Sequence, residues 1–322
     1  MGCCYVFHKA AGTITNIDLA AALEAAKDKQ NVVWINLFQP TADELAVLKE
    51  SLNLHELTVE DLESARVRPK VEEFDDHLYI VFKALNFREA VEEIDRINLN
   101  LLLFKNILIT AYLEPIDSID QLVNEIPKRP AIMQRGADFL LYSVLDCVVD
   151  DYFPFMDELD EATDRLEGEI FEKFNRKLSS EIFQLKLKVT HLRRLLGPKR
   201  EMLNNLISRP HSLINPKTQV YLRDVYDHII RINDYLETYR EILQGAMDSY
   251  LTQMSNRMND IMKTLSAVAT TMLPLGIIAG IYGTNFKKLP GAEGQYSFWL
   301  FMAAMGLVFL ANLIYFKKKK WF

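Results

Sequence analysis

Cysteine is scarce in this 322-residue chain: Cys3, Cys4 and Cys147 form no CxxC pair and have no histidine cluster beside them. That excludes a disulfide framework and a thiolate zinc site. No GxxxxGK[ST] or other phosphate loop is present, so no nucleotide is expected as a cofactor. Met1 to Asp18 lacks a continuous apolar stretch between a basic start and a small-residue cleavage site, and no signal peptide is expected. The opening Met1-Gly2-Cys3-Cys4 hints at acylation, but Val6 stands where Ser or Thr is wanted, and the match is read as chance. The most informative absence is of charge. Thr264 to Tyr282 and Phe298 to Phe316 contain no charged residue over 19 positions each, close to the roughly 20 needed to cross a ~30 Å hydrocarbon core. Buried core helices of a soluble protein could also lack charge. The flanking lysines favour two membrane helices with the lipid bilayer as partner.

Those flanks set an orientation. Arg257 and Lys263 precede the first run and Lys317 to Lys320 follow the second, against Lys287 and Lys288 between them, so both termini are expected in the cytoplasm and the connection outside. Residues 257–322 carry eight basic and two acidic side chains within a total of −7, which leaves −13 on residues 1–256. An acidic cytoplasmic body on a basic membrane hairpin argues against nucleic acid as a partner and suits cations.

Residues 1–135 read as a cytoplasmic α/β domain. VVWINLF (32–38), HLYIVFKALNF (77–87), INLNLLLF (97–104) and ILITAYL (107–113) are rich in β-branched and aromatic residues, as strands require. Thr41 with Glu44 three positions on predicts a capping box opening a helix over TADELAVLKESL. After Pro130 the periodicity becomes helical, giving a cytoplasmic helical region and stalk over 136–263. Residues 137–172 are strongly acidic, with Arg165 their one basic side chain, whereas 179–208 are mainly basic; an antiparallel helix pair with complementary faces is expected. From Pro216 no strong breaker appears before Pro274, and a helix running on to Tyr282 would be about 100 Å long. Along it Leu222, Val225, Ile229, Ile232, Leu236, Tyr239, Leu243, Ala246 and Tyr250 alternate spacings of three and four. Such a stripe needs a partner, from the same chain or from further copies.

The first apolar run extends this pattern. Asn259, Met262, Leu265, Ala269, Leu273, Gly276 and Gly280 recur every three or four residues, a narrow face of mostly small or unbranched side chains. Gly276 and Gly280 form a GxxxG pair, which serves ordinary helix association as well as it serves a pore lining. The run ends in Tyr282, Gly283, Thr284 and Asn285, neutral hydrogen-bonding groups where a span meets water.

That ending, YGTNF, resembles the YGMNF motif of the CorA family of divalent-cation transporters. So do RPKVEEFDDHLYIVFK (68–83), LLYSVLDCVVDDYF (140–153), LRDVYDHII (222–230), MLPLGIIAGIYG (272–283) and YFKKKKWF (315–322), in that order along nearly the whole chain. The resemblance implies a CorA-like fold: an α/β cytoplasmic domain, a helical stalk, a pore helix at 264–282, an external loop at 283–297, a second span at 298–316 and a basic tail at 317–322. It implies a non-enzymatic homopentameric channel in the plasma (inner) membrane, with the first span around the pore and a ring of neutral oxygens from Gly283, Thr284, Asn285 and the neighbouring Tyr282 at its outer mouth. Mg²⁺ sheds water reluctantly and prefers oxygen donors, so such a ring can hold it through its hydration shell. Thr284 replaces the family's methionine, and Lys287 and Lys288 occupy a loop that relatives often make acidic.

Mg²⁺ is thus the expected cargo, with Co²⁺ and Ni²⁺ as passengers. Asn259, Met262 and Leu265 would form the cytoplasmic constriction, above which Ala269, Leu273, Gly276 and Gly280 line the path. Cytoplasmic Mg²⁺ would close it by bridging subunits at Asp61 and Asp248, with Glu60, Asp146 and Asp224 as a weaker second set. None of the six histidines is given a ligand role. Three alternatives remain: zinc transport of the ZntB type, proton-coupled transport, and a non-transporting membrane-anchored ion-sensing scaffold. Neither apolar run carries a titratable carboxylate or histidine, which weighs against proton coupling.

Overall fold

The computed structural model describes residues 3–64, 67–87, 94–172, 175, 177–284, 294–319 and 321. In chain order its elements are β1 (Cys3–His8), β2 (Thr13–Ile17), α1 (Leu19–Ala25), β3 (Val32–Phe38), α2 (Ala42–Leu52), α3 (Glu56–Glu63), β4 (Lys70–Glu73), β5 (Leu78–Phe87), β6 (Ile94–Leu103), β7 (Ile107–Tyr112), α4 (Asp117–Glu125), α5 (Pro130–Gln134), α6 (Ala137–Asp150), α7 (Tyr152–Glu172), α8 (Leu178–Ser208), α9 (Pro216–Tyr282) and α10 (Ser297–Lys318). They form two compact units: Met1–Glu169 with Arg176–Ala246, and Ile170–Asn175 with Met247–Phe322.

In the first unit the seven strands make one mixed sheet in the order β2-β1-β3-β7-β6-β5-β4. β3 and β7 pair in parallel, while the β1–β2, β1–β3, β4–β5, β5–β6 and β6–β7 pairs are antiparallel. The central strands are apolar on both faces. β7 is buried at every position, as continuous runs of Ile, Leu and Val dictate for a covered sheet. The buried polar groups at the β3–β7 junction satisfy one another: Trp34 Nε1 donates to Thr110 Oγ1 (3.1 Å), Thr110 Oγ1 to Asn36 Oδ1 (2.5 Å) and Asn36 Nδ2 to the Tyr112 hydroxyl (3.1 Å). A connected network of this kind avoids the desolvation penalty that an unpaired buried amide would carry. The capping box forms as the sequence predicts. Thr41 Oγ1 accepts from the Glu44 amide, and Glu44 Oε2 accepts from the Thr41 amide at 2.8 Å.

Helices α4 to α6, α7 up to Glu169, α8 and the first part of α9 complete that unit. Gly136 opens α6 at φ 124, and a Cβ there would meet Asp138 Oδ1 at 2.6 Å, so the turn requires glycine. Asp138 in turn accepts from the Asn215 amide at 2.9 Å, and Asn215 Oδ1 accepts from the Lys217 amide at 2.9 Å, capping α9 just before Pro216. The stripe from Leu222 to Tyr250 is buried throughout. Its partner is the chain itself: the Tyr239 hydroxyl reaches the Met156 carbonyl of α7 at 3.4 Å. The basic helix α8 also binds α9, through Arg193 to Glu237 at 2.6 Å and Lys186 to Gln244 at 2.5 Å. Lys199, fully buried, donates to the Tyr152 hydroxyl and lies 5.5 Å over the Phe82 ring, which ties α8 to α7 and to the sheet.

The second unit holds the rest of α9 and α10. Both helices contain a window long and apolar enough to cross a membrane, 6% and 0% buried respectively. Exposed apolar surface on this scale is stable only in lipid or against other chains.

Candidate ion pathway and metal sites

α9 beyond Tyr250 leaves most of its apolar side chains exposed, with Ala267 buried. On the small-residue face Met262, Leu265 and Leu273 are 51%, 60% and 66% exposed, and Asn259, Ala269, Gly276 and Gly280 are exposed with them. A Cβ built on Gly276 or Gly280 would touch nothing within 4 Å among the described residues. No described residue of the protomer therefore requires either position to be small. Below this face a cleft of about 560 Å³ is lined by Asn256, Asn259, Asp260, Met262, Lys263, Ser266 and Trp321. Amide, charged and hydroxyl groups thus surround the Met262 thioether in this cleft.

At the other end of α9 the Gly283 amide donates to the Ala279 carbonyl at 2.9 Å. A Cβ on Gly283 would lie 3.1 Å from that same oxygen, so the helix closes tightly here. The Thr284 hydroxyl donates to the Ile281 carbonyl at 2.7 Å. With its proton committed, that oxygen keeps lone pairs that can accept further hydrogen bonds. The Tyr282 ring turns to Phe301 of α10, 5.1 Å between centroids. Asn285, with Lys287 and Lys288, lies outside the described residues.

The acidic candidates fall in different surroundings. Asp61, half-buried on α3, is 2.8 Å from Lys70 Nζ, which also binds Glu72 at 2.9 Å. Burial pulls the Lys70 amine down, yet its hydrogen bonds to Asp61 and Glu72 outweigh this and raise it above the ordinary lysine value. Glu60 is exposed beside it, and Asp248 is exposed on α9 opposite the buried stripe. Asp146 and Asp224, from the second set, belong to one cluster in the first unit. Asp146, Asp150 and His228 place a ligand atom each within 4.8 Å of one another. His228 Nδ1 is 3.5 Å from Asp150 Oδ1, and its Nε2 is 3.9 Å from Asp224 Oδ2. Burial, then the charge of Asp150, raises Asp146 above the usual carboxylate range, although the Tyr142 hydroxyl donates to it at 3.1 Å. Sequence reasoning missed His228. The available signal was a pair of i,i+4 couples, Asp146 with Asp150 and Asp224 with His228, on two helices that the fold sets side by side.

A mixed sheet with a long helix entering an apolar pair of helices is the architecture of metal-ion transporters: the complete structure of the CorA magnesium transporter from Methanocaldococcus jannaschii superposes with a TM-score of 0.86, covering 100% of this chain and 99% of that one at 25% identity. The full-length CmaX protein follows at 0.77 with 20% identity, a likeness of fold. The family described as CorA-like Mg²⁺ transporter protein matches residues 29–318, and the chain belongs to that family of transporters, which are not enzymes. The cobalt/magnesium transport protein CorA of Thermotoga maritima is 36% identical over 298 residues, 92% of this chain and 85% of that protein. The zinc transport protein ZntB of Yersinia enterocolitica is more distant, at 21% identity over 310 residues.

Proposed function

We propose that this chain assembles as a homopentamer in the plasma membrane, both termini cytoplasmic, and conducts hydrated Mg²⁺, with Co²⁺ and Ni²⁺, inward through a pore lined by α9. The observation that carries this reading is the uncovered small-residue face of α9, whose Gly276 and Gly280 meet no other side chain among the described residues. Copies of α9 around an axis would supply what is missing, because two spans alone cannot enclose a polar path. The spans are 264–282 and 298–316, joined outside by 283–297, with the basic tail at 317–322 inside and 1–135 and 136–263 as cytoplasmic regions.

Gly283, Thr284 and Asn285 then form the outer ring, with Tyr282 held aside by Phe301. The locked Thr284 hydroxyl supports this assignment, since neutral acceptors bind a hydrated ion without trapping it. Met262 and Leu265, with Asn259 below, act as the gate by excluding water, and Ala269 and Leu273 continue the wall. Closure is governed by cytoplasmic Mg²⁺ at Asp61 and Asp248, with Glu60, Asp146 and Asp224 contributing. A divalent ion moving into a negative interior gains roughly 4.6 kcal/mol per 100 mV, so neither nucleotide nor proton coupling is required.

Uptake of Mg²⁺, Co²⁺ and Zn²⁺ into liposomes, with voltage and pH gradients set independently, tests the proposal. Voltage-driven Mg²⁺ entry without a pH gradient supports it. Entry that requires a proton gradient, or entry of Zn²⁺ alone, would instead favour the ZntB-type reading, and no divalent flux at all would leave a scaffold.

A further inference from the structure

We propose that Phe139 and Tyr221, braced by Tyr142, form an aromatic corner that binds a guanidinium group, and that Arg135 fills it as a displaceable internal ligand. The site lies outside the transport reading and does not depend on it. Phe139 and Tyr142 belong to α6 and Tyr221 to α9. The Phe139 and Tyr221 rings stand at 90° with centroids 5.3 Å apart, and the Tyr142 ring packs on both, at 5.1 Å and 5.2 Å. The guanidinium carbon of Arg135 lies 3.7 Å from the Phe139 centroid and 4.6 Å from that of Tyr221, and its Nη2 donates to the Tyr221 hydroxyl at 2.8 Å. Two ring faces at a right angle, with a phenol oxygen at their rim, suit a planar cation that carries its own donors. Tyr142 turns its hydroxyl to Asp146 at 3.1 Å, so it gives the corner only its ring.

The way Arg135 is held makes it replaceable. Among the described residues it forms no ion pair with a carboxylate, and two rings and one hydroxyl hold its charge. Its side chain is exposed, and a cation–π contact at an exposed site is weak. Its backbone stands between the five-residue α5 and Gly136 at φ 124, at a turn rather than inside a helix. Phe139, by contrast, is 7% exposed and packed in the core. Fixed rings around a loosely held cation stand in the relation of a site to its ligand. A guanidinium is weakly hydrated and stacks on rings, whereas Mg²⁺ keeps its waters and needs oxygen donors, so this corner selects a different kind of cation from the one the carboxylates would take. The ligand class is an alkylguanidinium compound, and its binding would release the α5–α6 turn from the early turns of α9.

The test uses the full-length protein in lipid nanodiscs, with saturating Mg²⁺ to keep the carboxylates occupied. Methylguanidinium is the probe, read by saturation-transfer-difference NMR at its methyl resonance. Arg135→Ala vacates the corner and should bind the probe at least about fivefold more tightly than the unmodified protein, where Arg135 competes. Arg135→Gln, which keeps much of the side chain's bulk, should gain affinity in the same direction, so a folding defect in the alanine variant leaves the test intact. Binding equal to that of the unmodified protein in both variants, or no binding in any form, would overturn the site. Adding Tyr221→Leu removes one face at a position 36% exposed and should abolish the gain; a gain that survives would place the probe elsewhere and overturn the corner. Methylammonium, of the same charge but strongly hydrated, should bind Arg135→Ala at least about threefold more weakly than methylguanidinium. Equal binding of the two probes would overturn the preference for guanidinium. Liposome flux decides the transport reading separately, because the probe signal is measured without any transport.

Discussion

Lys70 Nζ sits 2.8 Å from Asp61 Oδ2, so the carboxylate proposed to sense cytoplasmic Mg²⁺ already holds a cation tethered to its own chain. A metal arriving at Asp61 must displace or outcompete that ammonium, which Glu72 holds from its other side. A partly exposed pair of this type contributes on the order of 1 kcal/mol. On the sensing proposal, the lysine sets the metal concentration at which Asp61 would be occupied.

Lys70→Met removes the competing ammonium, which lies 5.2 Å over the Tyr79 ring, and keeps an unbranched apolar side chain. Inhibition of uptake by internal Mg²⁺ should then move to lower concentration by about fivefold, the equivalent of roughly 1 kcal/mol. Liposomes loaded with graded Mg²⁺ would read the shift. A curve that stays in place would show that Asp61 does not bind the inhibitory ion.

Thr284 makes a separate prediction. Val has the shape of Thr without the hydroxyl, so Thr284→Val deletes both the donation to Ile281 and the outward lone pairs. Loss of one neutral acceptor should reduce apparent Mg²⁺ affinity by about three- to tenfold, on the scale of about 1 kcal/mol for a hydrogen bond. Thr284→Ser should restore it. Equal uptake by the Thr, Val and Ser forms would remove the side chain from the entrance.

The proposed gate rests on apolar side chains that the protomer leaves exposed, Met262 and Leu265. Replacing either with Ser should admit water to the constriction and raise basal flux at high internal Mg²⁺, several-fold or more. Uptake indistinguishable from that of the unmodified protein would place the gate elsewhere.

Much of this arrangement was legible beforehand, for reasons particular to each element. β3 and β7 announce themselves because both faces are covered and their sequences are unbroken Val, Ile and Leu around a few polar positions. β2 and β4 do not: Thr13–Ile17 is short and mostly exposed at the sheet margin and Lys70–Glu73 is charged, so their strand character comes from pairing with neighbours rather than from composition. The Leu222 to Tyr250 stripe was plain as a period, but whether its partner was the same chain or another copy depends on α7 and α8, which periodicity cannot place. His228 was invisible for a similar reason. Its significance is spatial, set by α6 lying against α9.

Because that stripe is interior to the protomer, its loss should act on folding rather than on assembly. Leu236 is fully buried, and Leu236→Ala should cost about 2–5 kcal/mol. Thermal unfolding in detergent should fall by several degrees. If the stripe were instead an interface between copies, the same substitution would dissociate the oligomer on size-exclusion chromatography while leaving protomer stability little changed.

Asp248 tests the remaining part of the sensing proposal. It is exposed on α9, opposite the buried stripe, so Asp248→Ala removes a carboxylate without altering that stripe. If Asp248 helps to hold the inhibitory cation, its removal takes away a charged oxygen ligand, and internal Mg²⁺ should inhibit only at concentrations about tenfold higher. The direction is opposite to that of Lys70→Met, which separates loss of a ligand from loss of a competitor. In the double variant the two shifts should add if the residues act at independent sites. If they act on the same bound ion, the gain from removing Lys70 should shrink once Asp248 is gone. An inhibition curve untouched by Asp248→Ala would take that residue out of the sensor and leave Asp61, Glu60, Asp146 and Asp224 to account for closure.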